Sequence, residues 1–382
     1  MPILPIEELK QAVLGGKISA ISIDTSVFEQ HQFGFETGVL AQMSQFDGSN
    51  IQHLVVDTVL HEIKSHLNAQ SELVKAQVKN ALKPLGNSWG VDKESQEETM
   101  KVLFGEKSGS TRTKERLDAF LLDSSAVILE SPDLVKLSDI LARYFHAKPP
   151  FGDKESKKRE FPDAVALLAL EGWGGQQNRG VLVVSRDGDW KRFCEESESV
   201  YFIDNLPQAL SAFHVGADDA AQLFRTAVTQ GQINDLYALI LEALNSQADK
   251  IEVDFEGHAN WYYKDELTQI EVASIAQSFA QQLSEFEVLD FSDNELQMQT
   301  TLQACVAAQF VVGFQHWDSI DKEYVRMGST TVDRTEEREL DIILTVTIAN
   351  GAVNLEHVEL LPFRTSFDFG EVEPDWMDGD GE

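Results

Sequence analysis

Carboxylates follow two apolar, strand-like runs of the chain. Asp24 comes directly after residues 18–23, and Asp187 and Asp189 follow residues 181–184. Continuous apolar runs without alternation predict strands that are covered on both faces, as at the centre of a parallel sheet. Ligands of such sheets lie beyond the carboxyl ends of the strands, so these acids are candidate site residues. The alternative is that each Asp only caps the helix that follows it.

Two further acids stand where regular structure would hold them. Glu62 lies in a helix that follows a short predicted strand, 53–56, and Asp163 opens a helix that begins at Phe161. Asp57 shares the helix of Glu62, so the identity of this second acid stays open at this point. Carboxylates that converge repel one another unless cations intervene, and a cluster of oxygen ligands without Cys or His suits Mg²⁺ or Mn²⁺. Such ions activate water and stabilise the leaving oxygen of a phosphodiester, which is the chemistry of a metal-dependent nuclease.

The elements that must position these acids alternate between strands and helices through residues 1–215, which predicts an α/β domain with a parallel sheet. Residues 216–370 change in pattern and predict an acidic α+β domain with an antiparallel sheet. There, two alternating runs joined by Asn350-Gly351 predict a β-hairpin with a type I′ turn, and a helix is expected around 271–283. We expect the first domain's long helix to end at Pro84, and residues 371–382 to form a disordered acidic tail.

Charge and cysteine content narrow the class of protein. The 382 residues carry a formal net charge of -33. Residues 216–382 hold 8 Lys+Arg against 33 Asp+Glu, or -25, which leaves -8 for residues 1–215. The second half should therefore repel phosphate and anionic membranes at long range. Cys194 and Cys305, without metal-ligand spacing, indicate a reducing compartment. No signal peptide or membrane-spanning stretch is apparent, so we expect a cytoplasmic protein.

The order of these motifs resembles the PIN-domain family of nucleases over about residues 18–213, and within it the larger bacterial members with an extra C-terminal domain. The resemblance is carried by "IDTSVF" after the first strand, Glu62, "FPDAVALLAL" and "VVSRDGDW". It implies a three-layer α/β/α fold and usually an RNA substrate. It also implies a toxin-like or antiphage role. The site that it implies consists of catalytic and metal-binding Asp24, Glu62, Asp163 and Asp187, with Asp189 as a further metal ligand and Thr25 or Ser26 as an orienting hydroxyl beside substrate.

Other features leave alternatives open. Lys154, Lys157, Lys158 and Arg159 precede Asp163 directly. They are either a solvated loop or, for Lys158 and Arg159 above all, a phosphate-contacting loop. Trp261, Tyr262 and Tyr263 are either sheet and core residues or stack on bases.

Two functions follow from these observations. The first is an Mg²⁺- or Mn²⁺-dependent endoribonuclease, with single-stranded DNA as an alternative substrate. The second is a non-catalytic PIN-like scaffold, whose acidic second domain binds a protein partner. Under either one, a homo-oligomer is an open alternative to a monomer.

Overall fold

The chain divides into two compact units, Met1–Val215 and Gly216–Glu382. The computed structural model describes residues 3–152, 160–292, 294–320, 322–349 and 351–375. The first unit is an α/β structure and the second is α+β with an antiparallel sheet, as the sequence pattern predicted.

A five-stranded parallel sheet forms the centre of the first unit. Its strands are β1 (Ile18–Ile23), β2 (Gln52–Val56), β3 (Val127–Leu129), β4 (Gly180–Val184) and β5 (Val200–Ile203), in the spatial order β3-β2-β1-β4-β5. Every residue of β1 and β4 is buried, because helices cover both faces of the sheet. This agrees with the apolar runs that predicted central strands.

Helices of the first unit connect these strands and cover the sheet. In chain order they are α1 (Ile6–Leu14), α2 (Thr25–Gln30), α3 (Gly38–Ala41), α4 (Asp57–Ser88), α5 (Lys93–Phe104), α6 (Gly109–Asp123), α7 (Ser131–Leu134), α8 (Leu137–Phe145), α9 (Phe161–Gln177), α10 (Gly188–Glu196) and α11 (Leu206–Ser211). Helices α2, α4 and α10 begin within a few residues of a strand end, which places their N-termini at the carboxyl edge of the sheet. The candidate site lies at that edge.

The predicted end of the long helix at Pro84 is wrong. Helix α4 continues through Pro84 to Ser88. Proline removes one hydrogen bond and crowds the preceding turn, but here it stands one turn from the helix end. That last turn packs against α5, where the Gln96 side chain lies beside Gly86 and donates to the Val91 carbonyl at 3.2 Å. Tertiary contact thus carries the helix past a local breaker.

The second unit is built on long antiparallel strands. Its strands are β6 (Ile251–His258), β7 (Tyr262–Ile275), β8 (Glu287–Ser292), β9 (Glu295–Asp318), β10 (Glu323–Ala349), β11 (Ala352–Leu360) and β12 (Phe363–Glu371). The order β11-β10-β9-β7 forms the main sheet, β8 also pairs with β9, and β12 pairs with β6 in parallel. Helices α12 (Asp218–Thr229), α13 (Leu236–Ser246) and α14 (Phe279–Gln282) complete the unit, with α13 packed on β7 and β11.

Three predictions for this unit meet the structure differently. The hairpin is confirmed, because β10 pairs with β11 from Ala349 opposite Ala352 across a two-residue loop. The turn type stays a prediction, since Asn350 lies outside the described residues. The helix predicted around 271–283 is wrong over its first half. Residues 271–275 end β7, where Val272 pairs with Val306 and is buried, so burial against β9 overrides the local helical spacing.

The predicted acidic tail begins inside folded structure. Glu371 is the last residue of β12, and Val372 is 3% exposed against Val312 and Phe314. The amide of Val372 also donates to the carbonyl of His258 at 2.8 Å, and Pro374 is buried as well. Residues 376–382 lie outside the described residues.

Candidate active site

The first component of the site is Asp24, at the point where the strand order of the sheet reverses. Asp24 follows β1 and Ser185 follows the neighbouring strand β4. The hydroxyl of Ser185 donates to Oδ2 of Asp24 at 2.8 Å, and that of Ser26 donates to the same oxygen at 2.5 Å. The Asp24 side chain makes no capping hydrogen bond to α2 and the residue is only 5% exposed. Helix capping therefore does not account for this buried acid.

Glu62 is the second acid of the cluster, and Asp57 is not. The Thr25 hydroxyl donates to Oε2 of Glu62 at 2.9 Å, which ties the α4 carboxylate to the residue beside Asp24. Asp57 instead accepts from the amide and the hydroxyl of Ser131, at 3.0 and 2.9 Å. It thereby holds the start of α7. These hydrogen bonds favour Glu62 over Asp57 as the second acid of the candidate site.

Asp163 enters the site from the first turn of α9. Its Oδ1 accepts a hydrogen bond at 3.0 Å from the indole nitrogen of Trp190, whose side chain is 1% exposed. A buried indole N–H requires an acceptor, so Trp190 both satisfies its own donor and orients Asp163. Sequence analysis did not identify Trp190 or Ser185 as site residues. Their positions just after β4, beside Asp187, were the available signal.

Asp187 does cap a helix, as the alternative interpretation proposed. Its Oδ1 accepts from the amide of Asp189 at 2.6 Å at the start of α10, while its own amide donates to the Ser185 hydroxyl at 3.0 Å. The residue is exposed. One of its carboxylate oxygens accepts the capping hydrogen bond, and the charge of the side chain still contributes to the raised pKa of Asp163. Asp189 differs, because its buried carboxylate pairs with Arg192.

The electrostatics show that these acids share one environment. Burial raises the pKa of Asp163 to about 7; the indole hydrogen bond opposes this rise, and the charges of Asp24, Glu62 and Asp187 add to it. Burial likewise raises the pKa of Asp24, against the effect of its two serine donors. Burial also raises the pKa of Glu62, with a further contribution from the Asp24 charge. Four carboxylates from four segments of the chain therefore interact at one edge of the sheet.

The donor set suits a divalent cation with an incomplete protein shell. None of the four carboxylates forms an ion pair with a described residue. Within the described ranges, however, no three His, Cys, Asp or Glu side chains stand so that they could hold an ion as they are. The hydrogen bonds from Ser26, Thr25 and Trp190 hold the carboxylates in their present directions. Mg²⁺ retains several waters and takes one or two carboxylates directly, so this all-oxygen set fits it without a full cage of protein ligands.

Two sets of residues predicted near substrate have different outcomes. The hydroxyls of Thr25 and Ser26 both point at carboxylates, as described above, and so orient the acids. Lys158 and Arg159 lie outside the described residues, and their phosphate-contacting role stays a prediction.

Most of the first unit matches a known protein family. Residues 21–190 match the family model described as "PIN domain". The first unit carries a PIN domain. The matched range begins within β1 and ends at Trp190, so it contains all four clustered carboxylates of this PIN domain. PIN domains are generally nucleases, and the antiparallel C-terminal unit fits a larger member of the family.

Other comparisons contribute less. None of the curated proteins matches the chain. The crystal structure of the intermembrane space region of the chloroplast protein ARC6 matches at 11% identity, covering 38% of this chain and 95% of its own, with a TM-score of 0.13. A TM-score at that level carries no structural argument. Among the described helices, none combines the length and the apolar character needed to cross a membrane.

Proposed function

We propose that the PIN domain is an Mg²⁺- or Mn²⁺-dependent nuclease that hydrolyses phosphodiester bonds of RNA. The observation that carries this proposal is the gathering of Asp24, Glu62, Asp163 and Asp187 at one edge of the sheet. Burial raises the pKa of Asp163 to about 7, and the charges of the other three carboxylates add to that rise. A fold gains nothing from gathering acids that repel one another, unless a cation joins them. Perturbed acids at the switch point of a parallel sheet are the expected mark of a functional site.

The residues divide into those that hold the cation and those that orient them. Asp24, Glu62, Asp163 and Asp187 would provide the oxygens that retain the divalent ion, which PIN nucleases typically require. When bound, the ion supplies acidification of a water and neutralisation of charge on the phosphodiester. Among the orienting residues, Ser26 and Ser185 act on Asp24, Thr25 acts on Glu62, and Trp190 acts on Asp163.

Asp189 has a different role in this proposal from the one its sequence position suggested. Its carboxylate pairs with Arg192, and its amide donates to Oδ1 of Asp187 at 2.6 Å. It therefore positions Asp187 and adds less to the charge that faces the cation.

The test is cleavage of labelled single-stranded RNA and single-stranded DNA by the full chain, in Mn²⁺, Mg²⁺ or EDTA. Metal-dependent cleavage of RNA, lost in Asp24→Asn and Asp187→Asn, is the expected result. The matched control is Asp139→Asn, which removes the same charge from the first turn of α8, where the carboxylate is exposed. Each variant must retain the wild-type circular dichroism spectrum.

If the PIN domain is instead a non-catalytic scaffold, we expect neither cleavage nor stabilisation by metal. If wild-type protein cleaves neither RNA nor DNA with either metal, while Mn²⁺ leaves its melting temperature unchanged, the PIN domain is a scaffold and the nuclease proposal is wrong. If cleavage occurs at equal rates in Asp24→Asn, the assignment of the site is wrong.

A further inference from the structure

Exposed aromatic rings gather at one end of the long strands in the second unit. The ring of Tyr324 lies 4.9 Å from that of Tyr262, at 31°, and 5.0 Å from that of Trp317, at 63°. These residues are 50%, 55% and 48% exposed, respectively. Exposed aromatic side chains that touch one another, outside any core, form a surface that a ligand with flat rings would cover.

The strand register places this cluster on a single face of the sheet. Directly opposed residues of antiparallel strands share a face, and Tyr324 lies opposite Trp317, while Gln315 lies opposite both Tyr262 and Arg326. Residues two apart on a strand also share a face, which adds Lys264 to the same side as Tyr262. We call these six residues the aromatic face: Tyr262, Lys264, Gln315, Trp317, Tyr324 and Arg326.

The other side of the same strands is already occupied. Phe314 is fully buried there, and Trp261 and Tyr263 pack with it. The Tyr263 hydroxyl also donates to the carbonyl of Gly257 at 2.8 Å. The three consecutive aromatic residues 261–263 therefore have two roles. Those at 261 and 263 attach the sheet to its core, as the first interpretation held, and Tyr262 turns its ring outward.

The aromatic face carries two positive charges, whereas the second unit as a whole is strongly acidic. Residues 216–382 contain 8 Lys+Arg and 33 Asp+Glu, yet two of those eight cations, Lys264 and Arg326, stand on this face. Both are exposed, and neither forms an ion pair with a described residue. The nearest acid on the same face along β7 is Glu266. Cations beside accessible rings are the arrangement that holds single-stranded nucleic acid, by contact with phosphate and stacking on bases.

We propose that the aromatic face binds single-stranded RNA by stacking its bases on Tyr324, Tyr262 and Trp317, with Lys264 and Arg326 on the phosphates. The RNA class rests on the proposed function of the PIN domain, since the rings themselves would accept bases of either nucleic acid. Bases of a duplex present only their edges, so paired RNA should bind poorly. The surrounding acidity opposes long-range attraction of phosphate, so affinity comes mainly from short-range stacking.

The experiment measures anisotropy of a fluorescein-labelled 12-nucleotide single-stranded RNA, titrated with full-length protein in EDTA so that no cleavage occurs. Stacking is worth about 1–3 kcal/mol per base, so Tyr324→Leu and Trp317→Leu should each weaken binding about 10-fold. Tyr324→Phe keeps the ring and should bind within about 2-fold of wild type. The control is Trp89→Leu, an 82% exposed ring in the other unit, which should leave affinity unchanged.

The phosphate contact has its own measurement. Arg326→Gln should lower the slope of log affinity against log salt by about 0.7, the value for one phosphate contact on a single strand. The ring variants should lower affinity without changing that slope. All substituted positions are exposed, and an unchanged melting temperature confirms that each variant is folded.

Several outcomes would overturn the inference. They are equal affinities of Tyr324→Leu and wild type, equal binding of duplex and single-stranded RNA, or binding of anionic phospholipid vesicles without binding of RNA. Cleavage in Mn²⁺ separates the two proposals. Ring-dependent binding without any cleavage refutes the nuclease proposal alone, whereas cleavage without ring-dependent binding refutes only the aromatic face.

Discussion

Removing the charge of Asp163 should make the metal-free protein more stable at pH 8. Its carboxyl has a pKa of about 7 in the folded protein, against about 3.9 in an unfolded chain. A carboxyl whose pKa is higher in the folded protein than in the unfolded chain favours folding when it is protonated. This contribution to the free energy of unfolding is fully present at pH values below the unfolded pKa. That contribution is lost as pH rises through the folded pKa. In Asp163→Asn nothing ionises, so this loss does not occur, and the amide oxygen still accepts from Trp190.

The size of the effect follows from the shift. About 3 pKa units at 1.36 kcal/mol each set a ceiling of about 4 kcal/mol at pH 8. Asp163 is only partly buried, so water screens part of the repulsion and we expect about 2 kcal/mol. The difference between variant and wild type should shrink as pH falls from 8 and should vanish below about pH 3, where the wild-type carboxyl is protonated in the folded and in the unfolded state.

The assay is urea unfolding in EDTA at a series of pH values, with Asp139→Asn as the control for loss of a helix first-turn charge. Saturating Mn²⁺ should reverse the order, because an ion at 100 times its Kd adds about 2.7 kcal/mol to a protein that binds it and Asp163→Asn lacks one ligand. If Asp163→Asn is less stable than wild type at pH 8 in EDTA, the carboxylates do not repel one another as described. The reasoning for a metal site would then fail.

Three further predictions concern residues around the site and the core. Thr25→Val removes the hydroxyl that donates to Glu62 and should slow Mn²⁺-dependent cleavage about 10-fold, whereas Thr25→Ser keeps a hydroxyl and should retain most of the wild-type rate. If Thr25→Val and Thr25→Ser cleave at the same rate, the hydroxyl is not needed. Ser131→Ala removes the hydroxyl that donates to Asp57 at the start of α7 and leaves the amide donor in place. It should lower the free energy of unfolding by about 1 kcal/mol with cleavage unaffected; loss of cleavage would mean that Asp57 belongs to the site. Burial raises the pKa of the Cys194 thiol, so iodoacetamide at pH 8 should leave it unmodified in the native protein and alkylate it in urea, as mass spectrometry of the peptide would show; rapid native labelling would contradict the burial.

Local sequence determined a large part of the fold. The unbroken apolar run of β4, the largely apolar run of β1 and the hairpin at Asn350-Gly351 were predictable, because burial on both faces and a two-residue turn each leave a signature within a few residues. The prediction at Pro84 and the helix expected over 271–283 were wrong for a shared reason. Packing of α4 on α5, and pairing of β7 with β9, outweigh the local preference.

The candidate site was likewise predictable only in part. Sequence by itself determined which acids stand at strand and helix ends, since each position depends on its own neighbours in the chain. Tertiary structure decided that Glu62, and not Asp57, joins Asp24, because Thr25 holds one acid and Ser131 holds the other. It also decided that, among residues 261–263, Tyr262 is the exposed ring, because Trp261 and Tyr263 pack against Phe314 on the buried face of the sheet. Local patterns reveal what a residue is able to do, and only contacts between distant segments show with which residues it acts.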